Sequence, residues 1–156
     1  MRKNTENIFL PVALNITGKK IVIVGGGRVG LHKATILHRF TDEATVISPE
    51  FREGFSELPF TLMQKSYERE DLRGAFLVYV CTENEQLNIQ IKQDAEELGV
   101  LASVCDNPPL CDFISPAIYR EGDISIAVSS NAKDVRRSIR VRDRIKEWAQ
   151  QDDVLM

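Results

Sequence analysis

Long apolar runs are missing from this 156-residue chain. The longest, Ala75 to Cys81, holds seven residues, against the ~20 that a membrane-spanning helix needs. The opening MRKNTENIFLPVAL has neither an extended apolar stretch nor a small-residue cleavage site, so no signal peptide is expected. Cysteine is scarce: Cys81, Cys105 and Cys111 are odd in number, separated by 24 and 6 positions, with no C-x-x-C pair. A disulfide framework and a structural zinc site are therefore not expected, and the three read as small buried residues of a cytoplasmic protein. Cys105 and Cys111 do flank an acidic residue, Asp106. The only histidines, His32 and His38, lie six apart and off a common helical face, so they read as structural or solvated. No cluster suggests a preformed metal site. Internal repeats and low-complexity stretches are absent too.

What is present is ordinary for a soluble globular chain: 43% hydrophobic, 28% charged, 20 basic against 23 acidic residues, net charge −3. The length suits one domain and is short for two independent cores. Charge is unevenly spread. Lys133 to Trp148 carries seven basic residues against three acids, +4, leaving −7 for the remainder. This segment is either a solvated helix face or a basic surface for a multiply charged anion. Without interleaved aromatics, and with a negative total, it does not indicate nucleic acid.

Apolar periodicity alternates along the chain. Lys20–Val24, Ala44–Ser48, Phe60–Met63, Ala75–Val80 and Val100–Val104 predict strands, and about Arg28 to Phe40 and Asn84 to Leu98 predict helices. This βαβ succession implies a parallel sheet with helices on both faces. After Asp106 the texture changes. Asn107-Pro108-Pro109 is a rigid break; Ile114–Tyr119 and Ile124–Val128, separated by Arg120-Glu121-Gly122-Asp123, predict a hairpin; Lys133–Gln150 predicts a final helix. The expected division is residues 1–112, the sheet domain, and 113–156, hairpin plus basic helix.

The first strand runs into Gly25-Gly26-Gly27-Arg28-Val29-Gly30, a G-x-G-x-x-G directly before a helix. In a dinucleotide site the first glycine (Gly25) permits the tight turn, the second (Gly27) lets the pyrophosphate reach the backbone, and the third (Gly30) lets helix and strand pack closely. The helix N-terminus supplies free N–H groups and a favourable dipole. The strand–turn–helix setting makes the motif far more telling than glycine spacing alone. At the end of the second strand, where an acid commonly holds the adenosine ribose, stand Ser48-Pro49-Glu50. Ser48 could accept a ribose hydroxyl and Glu50 could repel a 2′-phosphate, which favours NAD over NADP; Arg52 lies close enough to blur that preference.

Beyond the glycines, the chain resembles precorrin-2 dehydrogenases and the matching domain of siroheme synthases. The resemblance runs from Phe9-Leu10-Pro11-Val12 and Gly18-Lys19 through VIVGGGRVG with Lys33, then Asp71 to Val78, Thr82-Glu83-Asn84 and Leu87-Asn88. Its most specific part is Val104-Cys105-Asp106-Asn107-Pro108 with Cys111-Asp112-Phe113-Ile114-Ser115-Pro116-Ala117, followed by Ile124–Ser130. The resemblance implies a Rossmann-type domain followed by a small β-hairpin and helix used for homodimerisation. It also implies NAD-dependent oxidation of precorrin-2 to sirohydrochlorin, with ferrous iron insertion a further activity of some members. An aspartate at the position of Asp106 is the family's acid–base residue. Arg28, Val29, Pro49 and Glu50 would lie along the cofactor, with Thr82 in the matching Thr-Glu-Asn stretch, and Ser130 beside the tetrapyrrole.

The chemistry agrees independently about Asp106. Taking a hydride from a reduced macrocycle also requires losing a proton, which a positioned base promotes, and ligands of open α/β sheets bind beyond the carboxyl ends of the strands. Without the resemblance, a turn acid before Asn107-Pro108 is the alternative reading of Asp106. Asp112 reads as the N-cap of a short turn. Arg136, Arg137 and Arg140 are candidates for the substrate carboxylates, since guanidinium and carboxylate pair in a bidentate fork.

Two departures from the family pattern matter. Gly30 stands where alanine is usual. After the last strand comes Ser129-Ser130-Asn131-Ala132-Lys133-Asp134 in place of a glycine-rich loop with Ser-Pro, and only a short helical stretch follows. The expectation is a substrate site that is more open, or one completed by a partner. Two rivals stay in view. One is a non-catalytic nucleotide-sensing regulatory module, which explains the glycines but neither Asp106 before Asn-Pro-Pro nor CDFISPA. The other is a paralogue that kept the fold and lost the activity.

Overall fold

The computed structural model describes residues 6–152 and Leu155. Five strands form one parallel sheet: β1 (Lys20–Val24), β2 (Thr45–Ser48), β3 (Thr61–Gln64), β4 (Ala75–Val80) and β5 (Leu101–Val104), in spatial order β3-β2-β1-β4-β5. Helix α1 (Arg28–Leu37) links β1 to β2, and α2 (Glu85–Leu98) links β4 to β5.

Each inner strand is apolar on both sides because both sides are covered. Ile21, Ile23, Val46 and Leu77 pack with Ala34 and Leu37 of α1 and with Phe55. Their neighbours Val22, Val24, Ile47, Val78 and Val80 pack with Ile91 and Ala95 of α2 and with Leu72. The two-residue alternation of a strand thus sends successive side chains into two different cores. Burying one such Val or Ile contributes roughly 1.5–3 kcal/mol.

The helix ends explain most differences from the predicted boundaries. Asn84 is the N-cap of α2, its side chain accepting from Leu87 N at 3.1 Å, so the helix starts one residue later than the periodicity suggests. Gly99 closes it at φ +70°, with Val100 N reaching Ala95 O at 2.8 Å. Helix α1 stops at Leu37, short of Phe40, because Arg39 N and Phe40 N turn to Ile36 O and Leu37 O in a tighter coil.

The chain divides into two compact units. One is Leu14–Phe113, which holds the sheet, α1, α2 and both apolar clusters; the other holds the described residues up to Ala13 together with those from Ile114 onward. In the second unit β6 (Ala117–Glu121) and β7 (Ile124–Val128) pair antiparallel, with Glu121 opposite Ile124. The turn is therefore Gly122-Asp123 alone, narrower than the four residues expected, because Gly122 supplies the φ of +56° that a two-residue hairpin needs. Helix α3 (Val135–Asp152) begins two residues later than predicted. Asn131 and Ala132 take φ +57° and +61°, and Asp134 caps the helix by accepting from Arg137 N at 2.9 Å. Asn131 also fastens the leading segment: its Oδ1 accepts from Phe9 N and its Nδ2 donates to Asn7 O, both at 2.8 Å. No helix among the described residues is long and apolar enough to cross a membrane.

Candidate functional site

The sheet continues beyond its strands at the carboxyl ends. Gly25 N donates to Ile47 O at 3.0 Å, Cys81 N to Val24 O at 2.8 Å, and Cys105 N to Val80 O at 2.9 Å. Above this rim, where β1 meets β2 on one side and β4 on the other, opens a cleft of about 750 Å³. Its walls combine the glycine turn, the segment after β2 and the segment after β4.

The glycines divide their work cleanly. A Cβ on Gly25 would lie 2.4 Å from the Cys81 carbonyl oxygen, in a backbone already at φ +129°. One on Gly30 would lie 2.1 Å from the Gly25 carbonyl oxygen. Both serve the packing of turn, strand and helix. Gly27 differs: a Cβ there would meet no protein atom within 4 Å, so the space over it is free for a ligand. Gly26, which the motif leaves unspecified, is also forced, because its Cβ would fall 2.0 Å from Glu50 O and 2.7 Å from Ser48 Oγ.

Electrostatically the turn suits an anion. Helix α1 starts at Arg28 with no side-chain cap from Gly27 and no acid in its first turn. Its leading N–H groups face outward with the positive end of the helix dipole. Helix α2, by contrast, has its own Asn84 cap.

The structure brings Gly25, Gly27, Arg28, Val29, Ser48, Pro49, Glu50 and Thr82 together around this one cleft, while Gly30 is buried beneath it. Ser48 is turned inward. Its hydroxyl donates to Glu50 O at 2.6 Å and folds residues 48–50 back against Gly26; Arg52 N adds a bond to Gly26 O at 2.7 Å. Glu50 and Arg52 are exposed at the rim. Thr82 is set by α2: Asn88 Nδ2 donates to its carbonyl at 3.0 Å, and its hydroxyl bonds Asn88 Oδ1 and accepts from Asn84 N. Tyr67 also lines the cleft, and its hydroxyl donates to the buried Asp94 at 2.8 Å. Burial and that bond hold its proton well beyond the usual tyrosine range. Nothing in the irregular stretch around Tyr67 marks it in sequence; only the return of the chain from β3 places it here.

Asp106 does not line the cleft. It is exposed, two residues past β5, at φ +63°, a conformation aspartate tolerates better than most residues. The loop that carries it is closed by Asp112. Asp112 N donates to Ala102 O at 2.8 Å, its Oδ2 accepts from Ala102 N at 2.9 Å, and its Oδ1 lies 2.7 Å from the buried Lys92 ammonium. Asp112 is therefore no helix cap: it pairs with the free edge of β5 because β5 is the last strand and its outward groups need partners. The other sequence candidates lie in the second unit. Ser130 Oγ accepts from Asp134 N at 2.9 Å, helping to start α3, and Arg136, Arg137 and Arg140 are all exposed on α3. His32 and His38 are exposed as well, His38 beside Asp42 at 3.2 Å. No group of three or more metal-binding side chains occurs among the described residues.

A family model described as "Putative NAD(P)-binding" matches residues 12–117. The chain belongs to this family. The likeness to siroheme synthases read from the sequence holds as well. The chain is 34% identical over 144 residues to the siroheme synthase of Stutzerimonas stutzeri, covering 90% of itself and 31% of that protein. Against the siroheme synthase of Nitrosococcus oceani it is 36% identical over 126 residues, 78% of itself and 27% of that protein. It thus spans about a third of the length of these relatives. Among solved structures, SirC, a precorrin-2 dehydrogenase, superposes with a TM-score of 0.75 over 89% of this chain and 70% of that one, at 20% identity. That superposition supports the Rossmann-type fold with its hairpin and helix.

Proposed function

We propose that this chain oxidises precorrin-2 to sirohydrochlorin with NAD⁺ as acceptor. The observation that carries this reading is the open space over Gly27 at the uncapped start of α1, on a chain whose similar proteins are siroheme synthases. The diphosphate of a dinucleotide fits there: Gly27 offers bare backbone, the first-turn N–H groups offer donors, and Arg28 adds a cation. Glu50, at the rim after β2, favours a ribose over a 2′-phosphate, so NAD rather than NADP is the proposed partner. The bound nicotinamide supplies a hydride acceptor. Asp106, carried past the end of β5, takes the accompanying proton from the macrocycle, so that one hydride and one proton leave together. Arg136, Arg137 and Arg140 receive the acidic side arms of the tetrapyrrole, with Ser130 beside them. Ferrous iron, where it is inserted, enters as a second substrate at the same aspartate.

Two copies are proposed to associate through the second unit. Ile124 on the hairpin and Val135, Ile139, Val141 and Trp148 on α3 are exposed apolar side chains, Trp148 by half its surface. A two-stranded hairpin is marginal by itself. Sedimentation at micromolar concentration should show a dimer that Trp148→Glu disperses.

The reaction is tested by incubating the chain anaerobically with precorrin-2 and NAD⁺ and following sirohydrochlorin absorbance. NAD⁺ bound without any turnover would favour a nucleotide-sensing module.

A further inference from the structure

Two thiols that the proposed reaction does not use face each other just past the ends of β4 and β5, one of them in the wall of the cleft. Cys81 follows β4 and Cys105 follows β5, one step beyond the register pair Val80 and Val104, and their sulfurs are 2.8 Å apart. Both are free cysteines. Cys81 is buried in protein yet lines the cleft, and Cys105 is half-buried. The third cysteine is differently placed: Cys111 turns its thiol to Val104 O at 3.2 Å.

We infer that Cys81 and Cys105 are a disulfide-forming pair, oxidised reversibly by a hydroperoxide. Neighbouring strands run about 4.8 Å apart, within the ~4.4–6.8 Å of Cα separation that disulfides bridge. The sulfurs need to close from 2.8 Å to about 2.05 Å, a movement that side-chain rotation supplies.

The roles within the pair differ. The Cys81 thiol keeps its proton, held up by its bond to Cys105 and by burial. Cys105 is lowered by its bond to Cys81, against the opposing effect of partial burial, with the Lys33 ammonium of α1 adding to the lowering. Cys105, the more accessible of the two sulfurs, is the attacking one. Its thiolate takes the terminal oxygen of the hydroperoxide, breaking the O–O bond and releasing an alkoxide, or hydroxide from hydrogen peroxide, which picks up a proton. The sulfenic acid on Cys105 is then attacked by Cys81, which forms the S–S bond and expels the oxygen as water with the Cys81 proton. Two thiols and one hydroperoxide give one disulfide, one alcohol (or water) and one water. A small-molecule dithiol reverses the product. The bond would tie the ends of β4 and β5 directly beneath Gly25, whose packing against the Cys81 carbonyl shapes the turn. This modification site goes beyond the proposed activity and does not depend on which molecule the cleft binds.

The test uses the whole chain, fully reduced, treated with increasing hydrogen peroxide, alkylated, and mapped by peptide mass spectrometry. The expected product is a peptide pair joined through Cys81 and Cys105, two hydrogens lighter, with Cys111 still alkylated and the link lost on dithiothreitol treatment. Cys111→Ser should form the link at the same rate. In Cys81→Ser, Cys105 should stop at a sulfenic acid that dimedone traps. Oxidation of Cys105 in the unmodified chain with Cys81 still alkylated overturns the inference. So does a link through Cys111, and so do three thiols that all stay free.

Discussion

The carbonyl of Glu50 lies 2.0 Å from where a Cβ on Gly26 would stand. The same glycine carbonyl accepts from Arg52 N at 2.7 Å, so the glycine turn and the segment after β2 are folded onto each other without room for a side chain. One position on, at Gly27, there is nothing within 4 Å. Adjacent glycines thus answer to different partners: one to the protein, the other to its ligand.

This contrast makes a paired prediction. Gly26→Ala forces Cβ against backbone at Glu50 and should lower the thermal midpoint by several degrees, about 1–3 kcal/mol for an overpacked site. Gly27→Val should lower the midpoint less than Gly26→Ala does, by no more than the loss of a glycine N-cap, while weakening NAD⁺ binding at least about tenfold, or about 1.4 kcal/mol. Thermal melts and calorimetric titration on both variants check it. Equal loss of stability in the two would show that the space over Gly27 is not reserved for a ligand.

A second prediction concerns the loop that presents Asp106. Asp112→Ala removes the acceptor of Ala102 N and the close partner of Lys92, a buried cation. Lys92 keeps Glu96 at 3.4 Å, so the cost should be about 2 kcal/mol rather than the full penalty of stranding a charge. Hydrogen exchange at Ala102 N should rise sharply. Asp112→Asn keeps the acceptor and should recover most of the protection at Ala102.

The third separates chemistry from substrate capture. Asp106→Ala should abolish turnover and leave NAD⁺ affinity within about twofold, because Asp106 stands outside the cleft lined by the glycine turn. Replacing Arg136, Arg137 and Arg140 together by glutamine should raise the KM for precorrin-2 about tenfold or more with kcat little changed, the pattern of lost uniform binding. An unchanged KM would remove the arginines from the substrate site.

Alkaline pH supplies a fourth. Burial pushes the Tyr79 hydroxyl up to about 12, and Tyr67 is raised by burial and by its bond to Asp94. Both hold their protons longer folded than unfolded. Their contribution to stability is complete below the ordinary tyrosine value of about 10 and declines as pH rises through the folded values. Urea midpoints should fall steeply above about pH 10, and less steeply in Tyr67→Phe and Tyr79→Phe.

Much of this was legible in the sequence, for identifiable reasons. Lys20–Val24, Ala75–Val80 and Ile124–Val128 are β-branched or apolar runs flanked by glycine or charge, and they form strands over those same residues. The cleft's glycine wall was legible because G-x-G-x-x-G has a backbone reason at each position. What was not legible depends on the sheet's lateral order. Cys81 and Cys105 are 24 positions apart, and they meet only because β4 and β5 are neighbours. Asp112 looked like a cap because sequence shows the turn after it but not the open edge of β5 before it. Tyr67 and the inward turn of Ser48 depend likewise on where β3 and the 48–52 segment return.

The most direct test of the whole account is anaerobic conversion of precorrin-2, with NAD⁺, NADP⁺ or neither, in the unmodified chain and in Asp106→Ala. Sirohydrochlorin formation should need a dinucleotide, proceed better with NAD⁺ than with NADP⁺, and vanish in the variant. Turnover that survives in Asp106→Ala, or an unmodified chain that binds NAD⁺ yet leaves precorrin-2 untouched, would contradict it.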